Sequence, residues 1–146
     1  MKKLEFSTTI DASPERVWEI IIGKDTYSEW TAPFAEGSTV ETDWKKGSKA
    51  IFGDGKGNGM VSKIVESIPG KFLSIKHLGE LKNGVEDPTT YQGEEWGEAL
   101  ENYTLKEVDG KTLWVVNMDM NEEYAQYMED TWPLALAKVK ELAEKS

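Results

Sequence analysis

The amino-acid sequence predicts an α+β fold: a strongly curved, seven-stranded antiparallel sheet wrapped around one long C-terminal helix, with two short helices after the first strand. Three observations predict it. From Asn121 to Ser146 the apolar residues Tyr124, Met128, Trp132, Ala135, Val139 and Leu142 recur in steps of three and four, which places them on one side of an α-helix. From Gly37 to Met120 the chain reads as strands separated by tight-turn residues. An antiparallel sheet that lacks helices on both faces must bury one of them, and the terminal helix is the one element able to cover it.

Taken in order, Leu4, Phe6, Thr8 and Ile10 alternate with polar residues as a half-buried strand does. Ser13-Pro14-Glu15 then opens a helix: Ser13 caps it, Pro14 suits its first position, and Glu15 complements its dipole. Val17, Trp18, Ile21 and Ile22 are its buried side and Gly23 its end. A second short helix is expected over Asp25 to Trp30, stopped by Pro33. Strands are expected near Ser38–Asp43, Ser48–Gly53, Gly59–Ile68, Lys71–Leu81, Ala99–Val108 and Lys111–Met120. Pro69-Gly70 and Asp109-Gly110 connect the long ones as hairpins, while Asn83 to Glu98 reads as one long connection. Pro133 interrupts the terminal helix, where its ring crowds the carbonyl of Glu129, and is expected to bend the helix along the curved sheet.

The 146 residues fit a single domain, 1–146, and six Trp, five Tyr and four Phe mark a folded chain. A net charge of −10, with Arg16 the one arginine, argues against nucleic acid and anionic membrane surfaces as partners, since both demand a basic patch. The absence of cysteine excludes disulfides and thiolate chemistry. No apolar run reaches signal-peptide or membrane-span length, so the expectation is a cytoplasmic monomer or weak dimer.

The opening IDASPERVWEII, the turn DWKKGSKAIF, the strand pair GNGMVSKIVESIPGKFLSIKH and the ending TWPLALAKVKELAE resemble the SRPBCC superfamily, which includes START and birch-pollen-allergen-like domains. Within it the chain is similar to the branch of the activator of the heat-shock-protein-90 ATPase. The resemblance implies the helix-grip fold, and a cavity between sheet and helix that commonly binds an apolar small molecule. Some members are enzymes and others are protein-binding modules. The activator's separate N-terminal domain, which carries much of its chaperone contact, has no counterpart in these residues, so none of its contact residues is carried over.

Alternation along the expected strands, together with the helix stripe, nominates Met60, Ile64, Ile75, His77, Tyr103, Trp114, Met118, Met128 and Trp132 as cavity-lining ligand-binding residues. Tyr91 and Trp96 join them as aromatic plugs of a lid, in an acidic connection running from Gly79 to Glu101 that otherwise reads as a solvated loop. His77, the only histidine, lies in the apolar phase of its strand, either as a base or as a hydrogen-bonded histidine at the end of the sheet. No Ser, Cys or metal-ligand partner stands at a recognisable spacing from it, so no catalytic residue, metal or cofactor is assigned. Gly53 to Gly59 lacks the ending of a phosphate loop and sits between strands, which makes it a hairpin loop. Three functions stay open: a non-catalytic binder of a small apolar or amphipathic molecule, a chaperone-associated interaction module, and a hydrolase or cyclase using His77.

Overall fold

The computed structural model describes residues 2–34, 36–87, 100–120 and 122–145. Its elements are β1 (Lys2–Ile10), α1 (Pro14–Ile22), α2 (Lys24–Trp30), β2 (Thr39–Glu41), β3 (Lys49–Gly53), β4 (Gly59–Ile68), β5 (Phe72–Lys82), β6 (Val85–Asp87), β7 (Leu100–Val108), β8 (Lys111–Met120) and α3 (Glu122–Glu144). Local chemistry sets several boundaries. The Ser13 hydroxyl accepts the Arg16 backbone N–H at 3.2 Å, with Pro14 opening the helix behind it. Asp109 and Gly110 both take positive φ, as a two-residue hairpin turn requires between β7 and β8.

The sheet is antiparallel throughout, in the order β1-β8-β7-β5-β4-β3-β2. It contains eight strands rather than the seven expected, because β6 pairs with the far end of β5, Glu80 to Lys82. The connection expected to run from Asn83 therefore starts later: Asn83 and Gly84, both with positive φ, turn a further hairpin.

Two irregularities between β4 and β5 decide what faces inward. Val61 pairs with Gly79 but Ser62 pairs with His77, so Leu78 is the extra residue; Ile64 pairs with Ile75 but Glu66 with Ser74, so Val65 is another. Each shift reverses the alternation beyond it. Partners across antiparallel strands share a face, so Glu80 stands with Met60 where simple alternation from His77 assigns Leu81. Farther along, one row crosses the sheet through Leu4, Met118, Glu101, Ile75 and Ile64. Every member of that row except Glu101 is apolar and buried.

Helix α3 lies across this face. It runs unbroken through Pro133 and buries Trp132, Ala135, Leu136, Val139 and Ala143. Its C-terminal half is tied to the end of β1 and to α1: Lys140 Nζ donates to the Thr9 carbonyl at 3.0 Å and Arg16 Nη2 to the Leu142 carbonyl at 3.4 Å. Among the described residues no helix is long and apolar enough to cross a membrane.

Candidate functional site

At the other half of α3 the sheet and helix do not close. A cavity of about 290 Å³ opens there, close to the lower end of the roughly 300–1,000 Å³ usual for small-molecule sites. Tyr27, Trp30 and Phe34 reach it from α2 and the turn that follows; Phe52 and Met60 from β3 and β4; Glu101 and Tyr103 from β7; and Tyr127, Met128 and Trp132 from α3. The spacing of Tyr27, Trp30 and Phe34, steps of three and four, gathers all three on one side of α2 and its extension. The rings meet edge-on or tilted: Trp30 and Trp114 stand at 89°, and Phe34 and Trp132 at 70° with centroids 5.1 Å apart. Trp44, read above as a turn residue, stands behind the wall within ring contact of Tyr27 and Phe52. The Tyr127 hydroxyl donates to the Phe34 carbonyl at 2.7 Å and joins α3 to the turn after α2.

Glu101 brings the polar chemistry. Its carboxylate accepts from His77 Nε2 at 3.1 Å and from the hydroxyl of Tyr103, while the Ser62 hydroxyl lies 2.7 Å from His77 Nδ1. A carboxylate only accepts, so Nε2 carries a proton, while Nδ1 and the Ser62 hydroxyl, each able to donate or accept, share the second bond. The order runs inward from the cavity: Glu101 on the wall, His77 behind it, and Ser62 fully buried at the back. Burial, and then the charge of Glu101, push both the Tyr103 and the Tyr27 phenols up, so each stays protonated beside the carboxylate. At the rim, Asp54 holds the loop between β3 and β4 by accepting from the backbone N–H of Lys56 at 2.7 Å and of Asn58 at 3.2 Å. The Lys56 N–H, as the largest cause, keeps the Asp54 carboxyl below its usual range.

Of the residues nominated from the sequence, Met60, Tyr103, Met128 and Trp132 stand on the cavity wall. His77 stands one residue behind it, buried in the body of β5 rather than at the end of the sheet. Ile64, Ile75, Trp114 and Met118 are buried in the hydrophobic core and are not part of this wall. Tyr91 and Trp96 lie outside the described residues. Sequence reasoning missed Tyr27, Phe34, Phe52 and Tyr127, and it assigned Glu101 to a solvated loop, whereas Glu101 belongs to β7 with its side chain 14% exposed. The signal for Glu101 was present: the alternation that turns Tyr103 and Leu105 inward turns Glu101 inward as well. Among the described residues no three His, Asp or Glu side chains converge as a metal site would require.

Comparison with known proteins bears on the same architecture. Residues 11–144 match the family model described as Activator of Hsp90 ATPase homolog 1-like protein. No curated protein sequence matches the chain. Among solved structures, the Aha1 dimer from Colwellia psychrerythraea is similar at a TM-score of 0.74 and 19% identity, over 99% of this chain and 98% of that one. ChR145 from Cytophaga hutchinsonii is similar at 0.71 and 24%, over 99% and 94%. DynU16, of the dynemicin biosynthetic locus, is similar at 0.73 and 13%, over 99% of this chain and 48% of that one. Identities this low carry the helix-grip fold and nothing finer.

Proposed function

This chain belongs to the Activator of Hsp90 ATPase homolog 1-like family, and we propose that it is a cytoplasmic, non-catalytic carrier of a small amphipathic molecule held between sheet and helix. The observation that carries the reading is the cavity itself. Seven aromatic side chains and two thioethers make a large, soft apolar surface, and they converge on a wall with one inward carboxylate. Such a site takes up an apolar body by removing it from water, at about 25 cal/mol per Å² of apolar surface, and fixes its orientation through a single polar group.

The hydrolase or cyclase reading finds less support. Ser62, the hydroxyl nearest His77, is fully buried behind it and cannot meet a substrate. A chaperone partner is supported by the family description and by the likeness to an Aha1 fold. Against it, the large apolar side chains that are exposed among the described residues are divided between strand ends (Ile68, Val108), β6 (Val85) and α3 (Tyr124, Tyr127, Leu134).

Native mass spectrometry of the freshly purified protein tests the proposal: a co-purified small molecule is the expected result, and it should be lost from Trp132→Ala. Retention of the same ligand by that variant would move the site elsewhere. If only the bare mass appears, and a panel of amphipathic compounds neither binds nor raises Tm, the carrier reading fails.

A further inference from the structure

The charges around the cavity point to a narrower ligand class. Building on the carrier reading, we infer that the bound molecule is an organic cation, an amine or quaternary ammonium on an apolar body, with its charge against Glu101.

Among the described lining residues, the ionised side chains are Asp54 and Glu101, and there is no Lys, Arg or His. The basic side chain nearest Glu101 is His77, which stands behind the wall with both ring nitrogens already engaged, one by Ser62 and one by Glu101. Each oxygen of Glu101 accepts one bond, from His77 and from Tyr103, and a carboxylate oxygen has room for two. Unused acceptor capacity therefore remains on a group that lines the cavity.

Ligand classes differ in what they do to that group. A wholly apolar ligand strips the carboxylate of its remaining water and gives nothing back. An anion adds repulsion in a poorly screened setting. A cation offsets the desolvation. The rest of the wall favours the cation too, since its aromatic residues Tyr27, Trp30, Phe34, Phe52, Tyr103, Tyr127 and Trp132 are of the kind that attract ammonium groups. Phe52, on the same cavity wall, stands 6.2 Å, ring to ring, from His77, the residue hydrogen-bonded to the carboxylate. The net charge of −10 draws cations toward the protein from a distance.

Three probes of nearly one shape separate these effects: benzyltrimethylammonium, its uncharged carbon isostere neopentylbenzene, and phenylacetate. Titrations of the full chain, followed through the methyl signals of the wall residues Met60 and Met128 by NMR in one co-solvent, give their affinities. The expected order is cation over isostere by tenfold or more, with the anion weakest. Glu101→Gln is expected to remove most of the cation's advantage, the cation weakening while the isostere, which no longer desolvates a carboxylate, binds as well or better. Should that variant fail to fold, Phe52→Leu replaces it, with the cation expected to lose more affinity than the isostere. An isostere that binds as tightly as the cation overturns the inference and leaves the apolar carrier standing. A cation preference that survives the folded variant overturns the role assigned to Glu101 or, for Phe52→Leu, to the aromatic wall. Silence of both methyl signals with all three probes overturns the carrier reading and this inference together.

Discussion

One helix and one sheet meet twice in this molecule, with opposite results. Past Pro133, α3 presents Ala135, Leu136, Val139 and Ala143 to the sheet, and all four are buried. Before Pro133 it presents Tyr127, Met128 and Trp132, and a cavity of about 290 Å³ lies between helix and sheet. Small and branched side chains interdigitate and let backbones approach, whereas bulky rings meeting edge-on leave angular gaps. The difference teaches that the opening is written in side-chain size along a single helix and needs no change in the backbone plan.

The two ends should respond differently to truncation, and the largest effect belongs to the boundary between them. Trp114 is fully buried and stands at ring contact with Trp30, Tyr103 and Trp132. Trp114→Ala should cost about 3–5 kcal/mol in denaturant unfolding, as large aromatic deletions in cores do. A loss below ~1 kcal/mol would show that the aromatic set is loosely packed throughout and that the comparison is false.

Next comes Gly59, where β4 begins at the cavity edge. A Cβ there would stand 1.9 Å from the carbonyl oxygen of Phe52, so nothing larger than glycine fits while β3 and β4 stay paired. Gly59→Ala is expected to lower stability by about 2 kcal/mol or more, with cavity binding lost alongside it. Full binding in a stable Gly59→Ala protein would mean that this edge yields easily.

Alkaline pH probes the cavity end through its two buried phenols. Burial, with Glu101 second, raises the Tyr103 and Tyr27 phenols in the folded protein, while in the unfolded chain they ionise near 10. A raised folded value means that stability is complete below about pH 10 and is lost as pH rises beyond it. The slope is about 1.4 kcal/mol per pH unit for each such tyrosine. Unfolding midpoints measured on both sides of pH 10 should show that fall, and Tyr103→Phe should remove about half of the slope. Parallel curves for the two proteins would sink the assignment.

How much of this was legible beforehand depends on whether a residue's environment is set locally. The long strands and α3 were legible because burial recurs at a fixed period. Strand β6 was not: Val85, Glu86 and Asp87 are all exposed, so no burial pattern marks them, although Asn83-Gly84 before them is a hairpin signal that the length of the connection obscured. The extra residues Leu78 and Val65 were also invisible, since nothing in their side chains announces an irregular pairing. Ile64, Ile75, Trp114 and Met118 were grouped with Met60 and Met128 because inward-facing is a property of a strand, whereas lining a void depends on what arrives from the opposite side. Tyr27 and Phe34 could be read as one helix face, but not as a face turned toward Met128.

The smallest effect discriminates most finely between the two ends. Met128 is half-buried on the cavity wall, so part of its side chain already lacks packing partners. Met128→Ala therefore removes fewer contacts than a core deletion and enlarges a space that already exists, without creating a new one. Its cost should fall below about 1 kcal/mol, under the roughly 2–5 kcal/mol of a fully packed methionine. The same change enlarges the cavity and removes its polarisable thioether, so affinity for a probe that fits the wild-type space should drop severalfold. Denaturant unfolding and ligand titration on one preparation would show both. A cost in the core range with binding unchanged would mean that Met128 belongs to the packed end, and that the division of α3 at Pro133 is misplaced.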